Sequence, residues 1–329
     1  MPLSYHELII PHWKAWIISA IVTVKPPAAP ARTLAAETQM DTISPTYQLG
    51  DAKITRVTDT LLHGLAPSFL YRDWNEMLLA QEPDLRGLLD ADGARLTLSV
   101  HSWAVEWAGQ VFLIDTGVGN DKERAFNPLF HRLQTPFLER LARAGIQPAD
   151  VDHVLLTHLH ADHVGWNTRL INGQWTPTFP KALYALPQGD LDFFATPEAD
   201  SRRMVFDDSV APVIASGQAR VIGLDGGDYQ DGFRFHPTPG HCAGHMSISL
   251  SSRGETALFC GDVMHTPMQV YRPEWNSVFC REQDAARASR RWLLDFAAER
   301  RAMVFSAHFA DSSAGRVTRR DGGFGWTFL

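Results

Sequence analysis

The sequence is poor in cysteine, carries no excess of basic charge and shows no hydrophobic run long enough to cross a membrane. Its 329 residues include only 3 cysteines, none in a CxxC pair, which argues against a disulfide framework and a cysteine-rich metal module. The formal net charge of −7 disfavours a nucleic-acid partner, because binding a phosphate backbone usually requires a basic surface. The apolar run Ala15–Val24 is too short to span a bilayer. What remains is an ordinary globular composition.

The first 46 residues are predicted to form a leader rather than part of a folded domain. The run Ala15–Val24 has the length of a signal-peptide core, and a stretch rich in proline and alanine follows it. Glu7 and the scarcity of basic residues ahead of the run argue against that role, which leaves a disordered leader or a functional start at Met40 as alternatives. We expect a cytoplasmic protein, or a periplasmic or secreted one if the segment is a signal peptide. One folded domain is predicted over residues 47–329.

Strands and helices alternate along this domain, which predicts an α/β (α+β) fold. Lys53–Thr58 has the pattern of a strand, and Arg95–Trp107 with Gln110–Ile114 that of a hairpin. Apolar residues at helical spacing predict helices over Leu129–Ala144 and Ala285–Arg301. Further strands are predicted at Val151–Leu156, Phe233–Phe235, Met246–Leu250, Thr256–Cys260 and Met303–Ser306. Each cluster of histidines follows the end of a predicted strand.

The segment from Thr157 to His163 carries the strongest chemical signal. Its sequence, THLHADH, places His158, His160, Asp162 and His163 within six residues, directly after a predicted strand. Four such polar side chains cannot all be buried without partners, because burial would leave their polar atoms unsatisfied. A loop can fold them around an ion instead, and imidazole with carboxylate suits zinc and its neighbours in the first transition row. The segment therefore predicts a metal site.

This cluster resembles the signature of the metallo-β-lactamase superfamily, and the resemblance extends from about Tyr47 over nearly the whole chain. Other segments are similar to the remaining family motifs in the family order: Leu113–Gly117, Thr238–His241, Cys260–Asp262 and Ser306–His308. The resemblance implies an αββα sandwich, with two mixed β-sheets packed face to face, helices outside and metals at one edge. It also implies that residues 47–329 form a catalytic domain.

The same resemblance implies two metals and seven ligands. His158, His160 and His241 are expected at the first metal. Asp162, His163 and His308 are expected at the second, with Asp262 bridging both. Two zinc ions are expected, with other first-row divalent metals as alternatives. Such a pair acidifies a bridging water, so that hydroxide is available for attack at neutral pH. Asp162 also counts as catalytic, since losing it should strip the second metal and most activity.

Several neighbours of these ligands are expected to be structural. Asp115 is expected to support the ligand loops, and His245 to make a structural hydrogen bond. His101, His153, Cys242 and Cys260 are expected to be packed residues. His265 is different, because quorum-quenching lactonases of the superfamily place a tyrosine at the matching position to hold the substrate carbonyl. A histidine there could donate a hydrogen bond to an oxyanion or leaving group, so His265 is a candidate catalytic residue with a purely structural role as the alternative.

Departures from other branches leave the group of lactonases and methyl parathion hydrolase as the best match. A β-lactam hydrolase is disfavoured because the branches that cleave lactams lack a bridging aspartate at the position of Asp262. An iron-dependent oxidoreductase on the same fold is the second alternative. We therefore expect a hydrolase for lactones, aryl esters or phosphotriesters, acting on a small molecule and forming a homodimer, with no nucleic-acid or membrane partner. An apolar pocket is expected from aromatic residues near the motifs: Phe69, Tyr71, Trp74, Trp166, Trp275, Phe279 and Phe309.

Overall fold

The computed structural model describes residues 44–230 and 232–329, so nearly all of the predicted leader lies outside the described residues. Two seven-stranded sheets dominate the described part of the chain, with strand orders β1-β2-β3-β4-β5-β8-β9 and β10-β11-β12-β13-β14-β15-β16. The first sheet and a separate β6–β7 hairpin comprise β1 Thr46–Leu49, β2 Ala52–Leu65, β3 Leu96–Trp107, β4 Gln110–Ile114, β5 His153–Leu155, β6 Thr168–Ile171, β7 Gln174–Pro177, β8 Leu183–Pro187 and β9 Ala219–Ile222. The second comprises β10 Gly227–Asp228, β11 Phe233–Pro237, β12 Met246–Ser252, β13 Glu255–Phe259, β14 Met303–Phe305, β15 Ala314–Arg320 and β16 Gly323–Phe328.

Both sheets mix antiparallel and parallel pairs, and the parallel pairs set the position of the site. In the first sheet β4, β5 and β8 run parallel. In the second sheet β13 and β14 run parallel. Segments that follow parallel neighbours leave the sheet at the same edge, where open α/β sheets usually carry their sites. The predicted ligand segments follow β5 in the first sheet and β11, β13 and β14 in the second, and their side chains gather at one edge of the sandwich.

Helices lie on the outer faces of the two sheets. They are α1 Pro67–Leu70, α2 Met77–Gln81, α3 Phe137–Arg143, α4 Gln188–Phe194, α5 Arg203–Ser209, α6 Ala211–Ala215, α7 Met268–Tyr271 and α8 Gln283–Arg300. Phe137 and Leu141 of α3 pack against the first sheet, whereas Leu293 and Leu294 of α8 pack against the second. None of the helices in the described part of the chain is long and apolar enough to cross a membrane.

The core between the sheets combines aliphatic side chains with aromatic rings that meet across the layers. Phe112 of the first sheet lies 4.6 Å from Phe233 of the second, measured between ring centroids, and Trp103 lies 4.9 Å from Phe305. These side chains point inward because successive residues of a strand alternate between its two faces. Burying each phenylalanine contributes about 1.5–3 kcal/mol of hydrophobic free energy. The predicted sandwich of two mixed sheets with helices outside is confirmed.

The predicted helix Leu129–Ala144 is wrong over its first half. Only Phe137–Arg143 is helical, and Leu129 is 51% exposed rather than buried. Arg132 adopts a positive φ of 50°, and Pro136 stands at the helix start, where its fixed φ ends the preceding loop. The helical spacing of the apolar residues in the first half did not reflect a helix. The predicted helix at Ala285–Arg301 is confirmed, with bounds shifted slightly to Gln283–Arg300.

Candidate metal centre

Asp262 lies at the centre of the predicted ligand set and is 4% exposed. Its Oδ2 lies 3.9 Å from Nε2 of His158 and 3.2 Å from Nε2 of His241. Its Oδ1 lies 3.1 Å from Nε2 of His163 and 3.0 Å from Nε2 of His308. One carboxylate therefore turns one oxygen towards each half of the centre, which is the arrangement a bridging ligand requires.

The remaining predicted ligands complete two groups on either side of this carboxylate. In the first group, Nδ1 of His160 lies 2.8 Å from Nε2 of His241, and His158 belongs to the same cluster. In the second group, Oδ2 of Asp162 lies 4.0 Å from Nε2 of His163 and 3.7 Å from Nε2 of His308. The ligand atoms of each group lie within 4.8 Å of one another. The structure brings together all seven predicted side chains, and metal binding by them stays a prediction.

The donor atoms fit a pair of divalent cations. Nε2 of His158, Nε2 of His163 and Oδ1 of Asp262 are buried and have no hydrogen-bond partner among the described residues. Burying an unpartnered polar atom costs free energy, so nearly all such atoms in proteins are satisfied by some partner. Here they converge on a common volume with imidazole and carboxylate chemistry, which zinc accepts. The site chemistry is therefore that of a metal centre.

Hydrogen bonds to the other ring nitrogens orient three of the histidines. Nδ1 of His163 donates to Oδ2 of Asp115 over 2.9 Å, and Nδ1 of His308 donates to the Ser99 carbonyl over 2.9 Å. Nδ1 of His158 lies 3.0 Å from the Thr157 hydroxyl. A proton held on Nδ1 leaves Nε2 as the free acceptor, which is how outer partners fix the ligating nitrogen of metal-binding histidines.

Asp115 holds the start of the ligand loop, as the sequence predicts. Its Oδ1 accepts the Thr157 backbone N–H over 2.8 Å, and its Oδ2 accepts the Thr157 hydroxyl over 2.8 Å. Asp115 itself has a positive φ of 56°, a conformation that a residue with a side chain adopts at some cost. The carboxylate supports a ligand and the backbone beside it, and lies behind the ligands rather than among them.

The histidine pKa values shift in opposite directions in the two groups. Burial alone would lower the pKa of His163, but the carboxylates of Asp262, Asp115 and Asp162 outweigh burial and raise that pKa well above its ordinary value. Burial likewise lowers the pKa of His308, and Asp262 and Asp162 reverse that effect and raise it.

In the first group, burial holds the pKa of His158, His160 and His241 below the ordinary value. The buried Asp262 has a pKa well below its ordinary value, because the surrounding histidines overcome the opposing effect of burial. Asp262 is therefore ionised and available to cations across the physiological pH range.

The nearby histidines outside the ligand set occupy different environments. Nε2 of His245 accepts the Asp262 backbone N–H over 2.9 Å, and its Nδ1 lies 2.8 Å from the Thr238 hydroxyl, as expected of a structural residue. His101 is buried, with contacts from both ring nitrogens to Ser99 and Ser306. His265 is 2% exposed, yet neither ring nitrogen has a hydrogen-bond partner among the described residues. A buried imidazole without partners is costly, since nearly all buried polar groups in proteins are satisfied.

Two supporting residues were missed by sequence reasoning. Asp190 accepts backbone N–H groups from two ligand-bearing segments. The side chain of Gln269 accepts the backbone N–H of His265 over 2.7 Å and donates to the Trp275 carbonyl over 2.9 Å. Neither residue stands in a recognisable motif. The one available signal for Asp190 was its place just after an apolar strand at the active edge of the sheet.

Known proteins agree with this architecture. AbOPH, a hydrolase in the β-lactamase superfamily, superposes with a TM-score of 0.73 at 24% identity, covering 87% of this chain and 97% of AbOPH. AidC, a dizinc quorum-quenching lactonase, gives 0.70 at 21% identity with the same coverages. The ribonuclease Z of Mycobacterium avium is 35% identical over 86 residues, which are 26% of this chain. That match spans only 25% of the ribonuclease.

Membership of a family follows from a longer match. The model of the metallo-β-lactamase superfamily matches residues 96–308, which include all seven predicted ligands and the strands that carry them. The two matched sheets meet in the αββα arrangement described above. The chain belongs to the metallo-β-lactamase superfamily.

Proposed function

We propose that the protein is a dinuclear zinc-dependent hydrolase that cleaves an ester-like bond, in a lactone, an aryl ester or a phosphotriester. The observation that carries the proposal is the position of Asp262, with one oxygen facing each group of ligands. His158, His160 and His241 would hold one cation, and the second group, described above, would hold the other. Cations bound there would supply Lewis acidity and an acidified water at neutral pH.

His265 is proposed to stabilise the negative charge that develops on the substrate. Its Nε2 lies 3.4 Å from Oδ2 of Asp262, and its ring stacks on His308 at a centroid distance of 5.4 Å. Both ring nitrogens are free of other hydrogen bonds within the described residues. An N–H donor beside the reacting atoms stabilises an oxyanion or leaving group more strongly than water does, because it is already oriented.

The substrate is proposed to be uncharged and partly apolar. Phe279 is 43% exposed and lies 5.7 Å from the His265 ring and 6.4 Å from the Phe69 ring. Exposed aromatic rings beside a reaction centre offer an apolar surface for an acyl chain or an aryl group. Phe69 and Phe279 thus form one wall of the proposed pocket. Of the other predicted pocket aromatics, Tyr71, Trp166, Trp275 and Phe309 are buried. Trp74 is partly buried and packs against the cluster that contains Tyr71 and Trp275.

The segment that carries Phe279 is held firmly to the site. The backbone N–H of Val278 donates to the Leu70 carbonyl over 2.9 Å, and that of Arg281 donates to the His241 carbonyl over 3.1 Å. A wall fixed on both sides of the ring can position a substrate rather than merely adsorb it. The similarity of fold to AidC, a quorum-quenching lactonase, supports the choice of lactones as the first substrates to test.

Two other chemistries compete with this proposal on the same scaffold. An iron-dependent oxidoreductase would share the ligand cage, and a β-lactam hydrolase would share the fold. Metal analysis separates the first, and a β-lactam substrate separates the second. The homodimer, the lack of a nucleic-acid partner and the cytoplasmic location remain predictions. Because part of the chain is similar to a ribonuclease Z, an RNA substrate belongs in the panel as a competing activity.

A substrate panel on purified protein with measured metal content tests the proposal directly. We expect about two zinc ions per chain and turnover of at least one acyl homoserine lactone, aryl ester or phosphotriester, with little turnover of a β-lactam or of RNA. The metal-loaded protein failing on all three ester classes would overturn the substrate assignment. Redox-active iron as the bound metal would overturn the hydrolase assignment.

The His265→Ala variant tests the proposed oxyanion contact. Removing a preorganised donor costs about 100-fold to 1,000-fold in kcat, and we expect a loss of that order with metal content unchanged. The loss should be concentrated in kcat rather than KM, because the contact strengthens in the transition state. Unchanged kcat would remove His265 from the mechanism. His101→Ala is a matched control for loss of a buried histidine, since the His101 ring is satisfied by Ser99 and Ser306.

A further inference from the structure

Asp190 lies in the first turn of α4, immediately beyond β8, and its side chain is buried with 3% exposure. Its Oδ2 accepts the backbone N–H of Leu159 over 2.8 Å. Its Oδ1 accepts the backbone N–H of Gly244 over 2.9 Å. The Cys242 thiol donates a longer bond of 3.4 Å to Oδ2. A charged acceptor makes these backbone bonds stronger than neutral ones would be.

The two backbone donors belong to the two segments that carry the first group of ligands. Leu159 stands between His158 and His160, and Gly244 follows His241 by three residues. One carboxylate therefore ties a loop that leaves the first sheet to a loop that enters the second. Asp115 does not make this connection, since its partners are Thr157 and His163.

The packing around this contact leaves no room for adjustment. A Cβ added at Gly244 would lie 2.3 Å from the Asp190 backbone nitrogen and 2.6 Å from its Oδ1. A Cβ added at Gly189 would lie 2.8 Å from the Gly244 Cα. Real Cβ atoms do not approach other heavy atoms so closely. The glycines allow the two loops to meet at the distance that the carboxylate spans.

We propose that Asp190 is a positioning residue for the first cation, which it serves by fixing the spacing between the His158–His160 segment and the His241 segment. The proposal rests on the metal binding in the proposed function, and adds that the two cations have separate supports. Asp190 supports the first site through the backbone. Asp115 supports the second site through the His163 ring. Loss of Asp190 should weaken the first site and spare the second.

The Asp190→Asn variant tests this division of support. The amide has nearly the shape of the carboxylate, but its NH2 group must face one of the two backbone N–H groups, so one bond is lost. Removing an outer partner of a metal ligand typically costs about 10-fold to 100-fold in affinity. We expect a loss of that size at the first site and an unchanged second site. Zn2+ titration of the metal-free protein with 15N-labelled histidine reports which rings bind at each step.

Two controls complete the experiment. Asp115→Asn should differ from Asp190→Asn by weakening the second site, because the His163 ring donates to the Asp115 carboxylate. Asp152→Asn should change neither site, because Asp152 accepts the Val111 backbone N–H away from the ligand loops. If Asp190→Asn does not fold, Asp190→Ser is the second variant, because its smaller side chain introduces no clash and keeps one acceptor, and we expect the same selective loss.

The possible failures are distinguishable. A lower unfolding midpoint with unchanged affinity at both sites would show a merely structural role for Asp190 and overturn the inference. Equal loss at both sites would overturn it as well. If the wild-type protein binds two zinc ions but cleaves none of the proposed substrates, the substrate assignment fails and the role of Asp190 stands. If the wild-type protein binds no divalent cation, both proposals fail together.

Discussion

The two halves of the candidate metal centre contain similar ligands but differ in how those ligands are charged and held. His163 and His308 have raised pKa values, since they face Asp162 and Asp262 together. The histidines of the first group have lowered pKa values, since burial dominates there. A cation must therefore compete with protons for the ligands of the second group, and much less for those of the first group. Similar ligand types acquire different properties from the carboxylates placed beside them.

The hydrogen bonds that hold the ligands in place also differ between the two groups. In the second group, the His163 ring donates to Asp115 and the His308 ring to the Ser99 carbonyl. In the first group, Nδ1 of His241 has no hydrogen-bond partner among the described residues, and the loop around it is held instead by the contact with Asp190. A metal ligand can therefore be positioned through hydrogen bonds to its ring or to the backbone beside it.

The largest expected effect is the loss of both cations at once. Asp262→Ala removes the one carboxylate shared by the two groups, and we expect both cations to be lost. The cations supply several kcal/mol of transition-state stabilisation, so activity should fall by about 1,000-fold or more. Metal analysis after dialysis and a turnover assay measure this. Asp228→Ala, which removes an exposed aspartate paired with Arg234, is the control. Retention of both cations by Asp262→Ala would contradict a bridging role.

A smaller effect should separate the halves. Asp162→Ala removes a predicted ligand of the second group only, since Asp162 clusters with His163 and His308. We expect the second cation and most activity to be lost while the first cation stays, giving about one zinc per chain. Inductively coupled plasma mass spectrometry of dialysed protein measures the ratio. Two retained zinc ions, or none, would show that the assignment of ligands to sites is wrong.

The smallest effect expected is a difference in the acid sensitivity of the two sites. A cation must displace the proton from His163, because the folded-state pKa of that ring is raised. Apparent affinity at the second site should therefore fall as the pH falls through and below neutrality, by about tenfold per pH unit for each displaced proton. The first site should resist until lower pH, because its rings are already neutral there. Stepwise dialysis with metal analysis tests the order, and earlier release from the first site would contradict it.

Local motifs predicted most of the ligand set. THLHADH stands in one loop and predicted a metal site by its chemistry, whereas His241, Asp262 and His308 were expected from the resemblance of their short motifs to a known family. The αββα fold followed from the resemblance of those motifs to a known family. The support from Asp115 was expected, but that from Asp190 could not be predicted, because Asp190 bonds to Leu159 and Gly244, partners 31 and 54 residues away. The helix at Leu129–Ala144 was predicted wrongly, since spacing alone does not register the effect of Pro136 on the backbone.

The pocket wall illustrates the same limit. Phe69 and Phe279 lie far apart in the sequence and meet only because the backbone of Val278 bonds to Leu70. Aromatic residues near the motifs predicted a pocket, but residue type does not distinguish Phe69 and Phe279 from residues that fill the core. Tyr71, Trp166, Trp275 and Phe309 are of the latter kind. Only the folded chain separates an aromatic ring that is exposed beside the site from one that fills the interior.

The ligands of both groups come from both sheets of the sandwich. His158, His160 and His163 follow β5 of the first sheet, whereas His241 and His308 lie on loops of the second. Each bound cation would therefore be a cross-link between the two layers, in addition to the apolar contacts and hydrogen bonds that already join them. A ligand bound only by the folded state raises the free energy of unfolding in proportion to the logarithm of its concentration. Removing the cations with a chelator should thus lower the free energy of unfolding as well as stop turnover. The stability of the enzyme would then depend on the zinc concentration around it.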